Sequence, residues 1–473
     1  MLKIICPTTY QAEREYIISL FMDEFWKIDY CVAWADDAED KVVFQQDDRS
    51  LVLHDGLFRI SEQEWLSPVS LPRVPLIQWD VSQDFPELRW IEPCPLLYSA
   101  NVLKTPVIIA DDIIEFDVDI LGSSFFMVTR YEEIANKKRD KYGRFPATAS
   151  LAYQENFLDR PIVNEYMDIL WAAMHRLFPS LKKATKKFRL IPTHDVDHPF
   201  GMMYESSLQV LRHFAGDILC RKSISTFWRR FLEVMELHRH RSSYIQEKKE
   251  AFSFLFQISR TYGLKDTYYF MNSCRSRLDG NYLVSEPDVR TLLREIHDEG
   301  HFLGLHPSYI SYLNKEEILN ETHQMNQVLL ECDLPPIQGA RQHYLRWNNP
   351  ATLQYYEDAG IPYDSSLGFA DCIGFRCGIC YEYPLFNLLT RQRLKLREQP
   401  LIVMEVTLED YMHLTREVAM EKVLRLAQRC MIHSGDFVIL WHNTTLDIES
   451  NRGFYQEMIE RIFKEHGKCA LIK

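Results

Sequence analysis

The chain lacks several features, and each absence narrows what it can be. No uncharged apolar run approaches the length of a bilayer span. The opening MLKIICPTTYQAERE holds only a short apolar patch before Pro7 and charge. It therefore lacks the long apolar core of a secretory leader, and a cytoplasmic protein is expected. Positive charge is in short supply: 54 Lys and Arg face 67 Asp and Glu, for a formal net charge of -13. Nucleic-acid binding needs a cationic face, so nucleic acid is not an expected partner. A disulfide framework is also missing, because 11 cysteines scattered over 473 residues form no paired pattern. Internal repeats and low-complexity tracts are absent as well.

What is present is ordinary globular composition, 46% hydrophobic and 26% charged. At 473 residues the chain exceeds one usual core, so two domains are expected. The basic, polar stretch Lys182-Lys183-Ala184-Thr185-Lys186-Lys187 precedes a change of texture, and it sets the expected boundary. Residues 1–183 read as a smaller α+β domain. Helical spacing of Ile17, Leu20, Phe21 and Phe25 predicts a helix over 12–26. Strands are predicted at Tyr30–Ala35, Val42–Phe44, Leu51–Leu53 and Pro106–Phe116, and a helix over Asp119–Ala135.

Residues 188–473 alternate strand and helix, the pattern of parallel strands covered by helices in an α/β barrel or open sheet. Strands are expected at Arg189–Thr193, Asp266–Met271, His301–Leu305, Leu401–Val406 and Phe437–Trp441. Helices are expected at 249–262, 286–299, 350–359 and 416–432. Residues 200–247, helical and rich in Arg and His, read as an insertion. It is expected to lie over the face that carries the chemistry.

The chemistry collects where apolar strands end. One runs into His194-Asp195-Val196-Asp197-His198, another into Gly304-Leu305-His306-Pro307, and the last into Leu440-Trp441-His442-Asn443. Parallel α/β folds bring such ends to one face. Carboxylates two apart on a strand point to the same side. With imidazoles they suit a divalent metal and an activated water. Taken singly, an Asp-x-Asp more often caps a turn and a strand-end His is more often structural. Three such ends in one architecture favour a site.

The order and content of these segments resemble the NodB-type homology domain of polysaccharide deacetylases, carbohydrate esterase family 4, over about 188–473. The resemblance implies a distorted parallel (β/α) barrel that hydrolyses acetamides on N-acetylated sugars with a divalent metal ion, zinc being the metal expected. It implies Asp195 as general base, Asp197 and His306 as metal ligands, and Arg341 in Gly339-Ala340-Arg341 as the residue orienting the base. His442 would protonate the leaving amine. Asp364, Tyr344 and Trp441 are the expected substrate-binding residues. The N-terminal region is similar to an uncharacterised domain found before a variant branch of these deacetylases. The chain departs from the family four residues after His306, where a second metal-binding His is replaced by Ile310. His343, His198 and His194 are the candidates for a substitute ligand. A non-catalytic domain that binds a glycan or a protein is the alternative that Ile310 favours. A further alternative rests on Cys372, Cys377 and Cys380, whose spacing begins like a plant-type iron–sulfur motif with Cys430 as a possible fourth ligand. Buried or loop thiols are the simpler reading of these cysteines.

Overall fold

The computed structural model describes residues 1–36, 40–205, 207–219 and 223–469. Five short parallel strands form the centre of the C-terminal part. Their order is Phe302–Leu305, Thr267–Phe270, Arg189–Val196, Asp436–Leu440 and Val403–Met404. Thr267–Phe270 and Asp436–Leu440 are buried at every residue, as expected of strands covered on both faces. Single parallel bridges from Leu305 to Ala340 and from Ala340 to Asp364 carry the order outward. It continues into a smaller group, Tyr363–Asp364, Gln392–Glu398 and Tyr383–Asn387. Helices Arg241–Tyr262, Pro287–Asp298, Lys315–Glu331, Arg416–Ile432 and Glu449–Cys469 alternate with the strands. Pro287–Asp298 turns Val289, Leu292, Leu293 and Ile296 inward on one stripe, which is why an otherwise charged segment is helical here. The segment expected as a helical insertion contains Ser207–Leu219, Ile224–Arg239 and the first turns of Arg241–Tyr262.

The N-terminal part is built on a mixed six-stranded sheet. Tyr30–Ala35, Leu2–Pro7, Lys41–Gln46, Arg49–His54, Ile113–Phe116 and Val107–Ile109 follow one another across it. Helices Gln11–Ser19, Ile120–Val128 and Ile162–Leu177 accompany it. Two expectations are corrected here. The Pro106–Phe116 run is two strands, Val107–Ile109 and Ile113–Phe116, folded antiparallel because the chain turns at Asp111-Asp112. The Asp119–Ala135 helix is broken into Ile120–Val128 and Glu132–Ala135, with Arg130 between them at φ 53. That break lets the Arg130 side chain reach inward to Glu132 at 2.6 Å and Glu133 at 2.9 Å.

We propose the boundary near 182–187 as the division between two parts that pack through one continuous apolar core. Polar contacts reinforce the junction. The Tyr16 hydroxyl donates to the Pro384 carbonyl at 2.8 Å, and Asn349 donates to the Thr129 carbonyl at 2.8 Å. Arg376 grips Glu133 through two bonds of 2.9 and 2.7 Å, and Arg130 also donates to the Arg376 carbonyl. Burial opposes ionisation of Glu133, but Arg376 and Arg130 outweigh it and hold its carboxyl below the usual range. None of the helices is long and apolar enough to cross a membrane, among the described residues.

Glu133→Ala takes from Arg376 the carboxylate that grips it and leaves Arg130 with Glu132 alone, both guanidiniums being buried at 2% and 1% exposure. The expected loss of stability is about 3–5 kcal/mol, the cost of breaking a buried pair from one side. Urea unfolding of the full chain measures it. A loss below about 1 kcal/mol, the scale of an exposed pair, would mean that the junction does not depend on these charges.

Candidate metal centre and cleft

The ends of the parallel strands meet at a cleft of about 480 Å³, whose walls include Asp195, Asp197, His306, His343 and His442. Asp195 is the penultimate residue of Arg189–Val196, and Asp197 follows the strand directly. Between them the Val196 carbonyl accepts a bond from the Tyr282 hydroxyl at 2.5 Å. The Asp279-Gly280 segment presses against the Asp197 backbone. A Cβ at Gly280 would stand 2.1 Å from the Asp197 carbonyl oxygen, so only glycine fits.

Asp195 is 3% exposed and accepts a bond from Arg341 Nη1 at 3.0 Å. Arg341 is fully buried and spends its other donors on Thr193 Oγ1 at 2.8 Å, the Ser365 carbonyl at 2.9 Å and Ser365 Oγ at 2.9 Å. Every arm of the guanidinium is therefore fixed, and its charge faces Asp195. The neighbouring Asp197 is surrounded by imidazoles. His306 Nε2 lies 3.4 Å from Asp197 Oδ1, and His343 Nε2 and His442 Nε2 each lie 3.9 Å from Oδ2. Burial opposes ionisation of Asp197, but His343, His306 and His442 outweigh it and hold the carboxyl far below its ordinary range.

The imidazoles are oriented by their other nitrogens. His306 Nδ1 meets the Arg341 carbonyl at 2.5 Å, and a carbonyl only accepts, so Nδ1 carries a proton and Nε2 is the nitrogen turned to the cleft. His343 Nδ1 meets Asp279 Oδ1 at 3.2 Å, with the same consequence for its Nε2. His442 Nδ1 meets Glu405 Oε1 at 2.7 Å, and the same oxygen accepts from the His442 backbone N–H at 2.7 Å. Burial works against a charged His442 ring, but Glu405 outweighs it with help from Asp197 and Asp195, and the pKa rises to about 10.

His306 Nε2 and Asp197 Oδ1 are buried without a hydrogen-bond partner. Buried polar atoms are seldom left so, and these two are aimed at each other's neighbourhood together with His343. Asp197, His306 and His343 each place a ligand atom within 4.8 Å of the other two. Two nitrogens and one carboxylate oxygen match the donor set of a zinc-type site with open positions, so the residues present fit a divalent metal. Among the described residues this is the one group of three or more His, Cys, Asp and Glu side chains able to hold an ion.

The candidates for the missing ligand therefore separate. His343 stands in the cleft. His194 is engaged elsewhere, bonded to the Trp441 carbonyl at 2.9 Å and to Asp266 at 3.0 Å. His198 is not in the three-residue group, and Ile310 is 44% exposed on a surface turn. The cysteine alternative finds no support among the described residues: Cys372, Cys377, Cys380 and Cys430 do not form a group of three or more ligand atoms, and the last three are buried thiols.

Of the residues expected at the substrate, Tyr344 is on the cleft wall and two are not. Asp364 is fully buried with its carboxylate turned back on Ser366, accepting from the amide at 2.9 Å, and burial pushes its carboxyl up to about 6. Trp441 is 3% exposed, its ring packed against Tyr455 at 5.2 Å and Phe454 at 6.0 Å. Sequence reasoning missed Glu405 and Asp279, together with Lys141, Tyr142 and Arg144, which reach the cleft from the N-terminal part.

Comparison with known proteins adds a family model described as a family of unknown function, DUF7033, over residues 2–179. No curated protein matches the chain. Solved structures align weakly. A Mycobacterium smegmatis protein described as a presumed polysaccharide deacetylase has 14% identity and a TM-score of 0.39, covering 59% of this chain and 85% of its own. The chitin deacetylase of the fungus Colletotrichum lindemuthianum has 11% identity and a TM-score of 0.30, covering 60% and 88%. A carbohydrate esterase family 4 pseudoenzyme of Bacillus anthracis has 13% identity and a TM-score of 0.27, covering 46% and 57%.

Replacing Asp197, His306 or His343 by Ala should each strip bound zinc from the full chain, while His198→Ala should leave it in place. Asp279→Asn should retain metal but weaken its affinity about 10–100-fold, because it removes the charge behind His343. Metal analysis with chelator competition reads all five. Full zinc content in His343→Ala would remove His343 from the ligand set.

Proposed function

We propose that the chain is a metal-dependent hydrolase that removes the acetyl group from an N-acetylated sugar, releasing acetate and a free amine. The observation that carries this reading is the meeting of three differently prepared groups in one cleft. They are a carboxylate held by a buried Arg, a carboxylate–imidazole cluster with unpartnered ligand atoms, and an imidazole backed by a carboxylate. Such a set divides the labour of amide hydrolysis. We also propose that the strands and helices of 188–473 form the distorted (β/α) barrel of NodB type, supported by the parallel order and the helices between the strands.

Asp197, His306 and His343 would hold a divalent ion, whose chemistry when bound would be Lewis-acid polarisation of the acetamide carbonyl. Asp195, held by Arg341, is acceptor-only as a carboxylate. It takes the proton of the water whose oxygen adds to the carbonyl carbon. His442 lines the same cleft, with Nδ1 pinned by Glu405 and Nε2 3.9 Å from Asp197 Oδ2. It gives the Nε2 proton to the nitrogen as the carbon–nitrogen bond breaks. The products are a carboxylate and an amine, and both catalytic side chains are reset by proton exchange with solvent. The reading of a non-catalytic binding domain drew its support from Ile310, and His343 offers the nitrogen that Ile310 lacks.

Asp195→Asn and His442→Ala should keep bound zinc and lower acetate release about 10²–10⁴-fold each, the scale of lost acid–base groups. Glu405→Gln supplies a pH signature. A general acid works only while protonated, so activity falls as pH rises through its pKa. Glu405 holds the His442 pKa up, so its loss should move the alkaline limb of kcat/KM to lower pH. Acetate release across a panel of N-acetylated amino sugars is the measurement. A zinc-loaded wild type inactive on the whole panel would sink the deacetylase reading.

A further inference from the structure

The loop joining Glu132–Ala135 to the short turn Ala147–Ala149 belongs to the N-terminal part, yet it reaches the cleft. Lys141, Tyr142 and Arg144 share its walls with the three candidate ligands. The loop touches the segment that presents His343, and that segment is strained. Tyr344 and Leu345 follow the ligand at φ 62 and 52, two successive non-glycine residues in the left-handed region. Each such residue costs on the order of 1–3 kcal/mol and persists only where surrounding contacts hold it.

The holding contacts come from the N-terminal loop. Arg144 Nη1 donates to the Tyr344 carbonyl at 3.1 Å, and Arg346 Nε donates to the Tyr142 carbonyl at 2.7 Å. The strained pair is thus bracketed, with one bond on its first residue and another on the residue that follows it. Both guanidiniums are buried, at 6% and 9% exposure. Arg144 is fixed in turn by Asp140 at 2.7 Å, and Arg346 lies over the rings of Tyr309 and Tyr312 at 3.9 and 3.8 Å. The same loop also shapes the cleft. The Tyr142 ring lies 5.3 Å from that of Tyr344, and Arg144 Nη2 meets the Tyr411 hydroxyl at 3.3 Å. All three tyrosines line the cavity with part of their surface open. Tyrosine offers an apolar face and a polar edge, which match the C–H face and the hydroxyls of a sugar ring.

We propose that this loop gives the N-terminal part its role: it clamps the turn that carries His343 and adds Tyr142 to the wall that receives the sugar. The metal half of the proposal stands on zinc binding alone, and the sugar half rests on the deacetylase reading above. Arg144 is then a positioning residue and Tyr142 a substrate-binding one.

The test uses the full chain, zinc, cobalt as a spectroscopic substitute, and an N-acetylglucosamine oligomer. Arg144→Ala should raise the zinc dissociation constant about 10–100-fold, the usual effect of losing support behind a ligand, and should alter the cobalt absorption spectrum. Tyr142→Ala keeps the backbone carbonyl that Arg346 uses. It should therefore keep zinc affinity and the cobalt spectrum while raising KM about 2–10-fold at nearly unchanged kcat, and Tyr142→Phe, which keeps the ring face without the hydroxyl, should restore KM in part. Wild-type zinc affinity and cobalt spectrum in Arg144→Ala would overturn the clamp, and an unchanged KM in Tyr142→Ala would overturn the wall. A wild type that binds zinc but releases no acetate defeats the deacetylase reading alone, and the Arg144 comparison still decides the clamp. A wild type that binds no zinc overturns both proposals.

Discussion

Two carboxylates set side by side inside a protein demand positive charge, and the C-terminal part is arranged around meeting that demand. Asp195 and Asp197 both stand within 3.7 Å of one imidazole nitrogen, His306 Nε2. Arg341 faces Asp195 from full burial, where its donors need partners. Those donors reach Thr193 on the central strand and Ser365 beyond the Tyr363–Asp364 strand, so the counter-charge also ties distant strands together. Fixing Asp195 and bracing the sheet are one act.

How much of this was legible depends on where each residue sits in the chain. Asp195, Asp197, His306 and His442 could be found because each ends an apolar strand, and parallel topology carries strand ends to one face. Glu405 obeys the same rule, directly after Val403–Met404, but a lone Glu beyond a short strand has no partner visible in sequence. Strand ends also mislead, since they give a residue's place without its direction. Asp364 ends a strand and turns back onto Ser366, and Trp441 turns into the packing around Tyr455. Asp279 and the 140–144 loop were out of reach because they lie outside regular elements, where no periodicity links them to the site. The break at Arg130 was hidden for another reason. Its buried pairing with Glu132 and Glu133 overrides a local pattern that reads as one helix.

His343 is the candidate for the ligand that position 310 does not offer. A ligand on the turn four residues after His306 would have needed only that turn. His343 arrives from a different segment, and its ring must be aimed by something else. Asp279 does this, and it is itself fixed by the Ser276 and Tyr309 amides, each at 2.7 Å. The change of address brings a change of charge. His306 is oriented by a neutral carbonyl, whereas His343 is oriented by a carboxylate, which makes its free nitrogen the stronger donor.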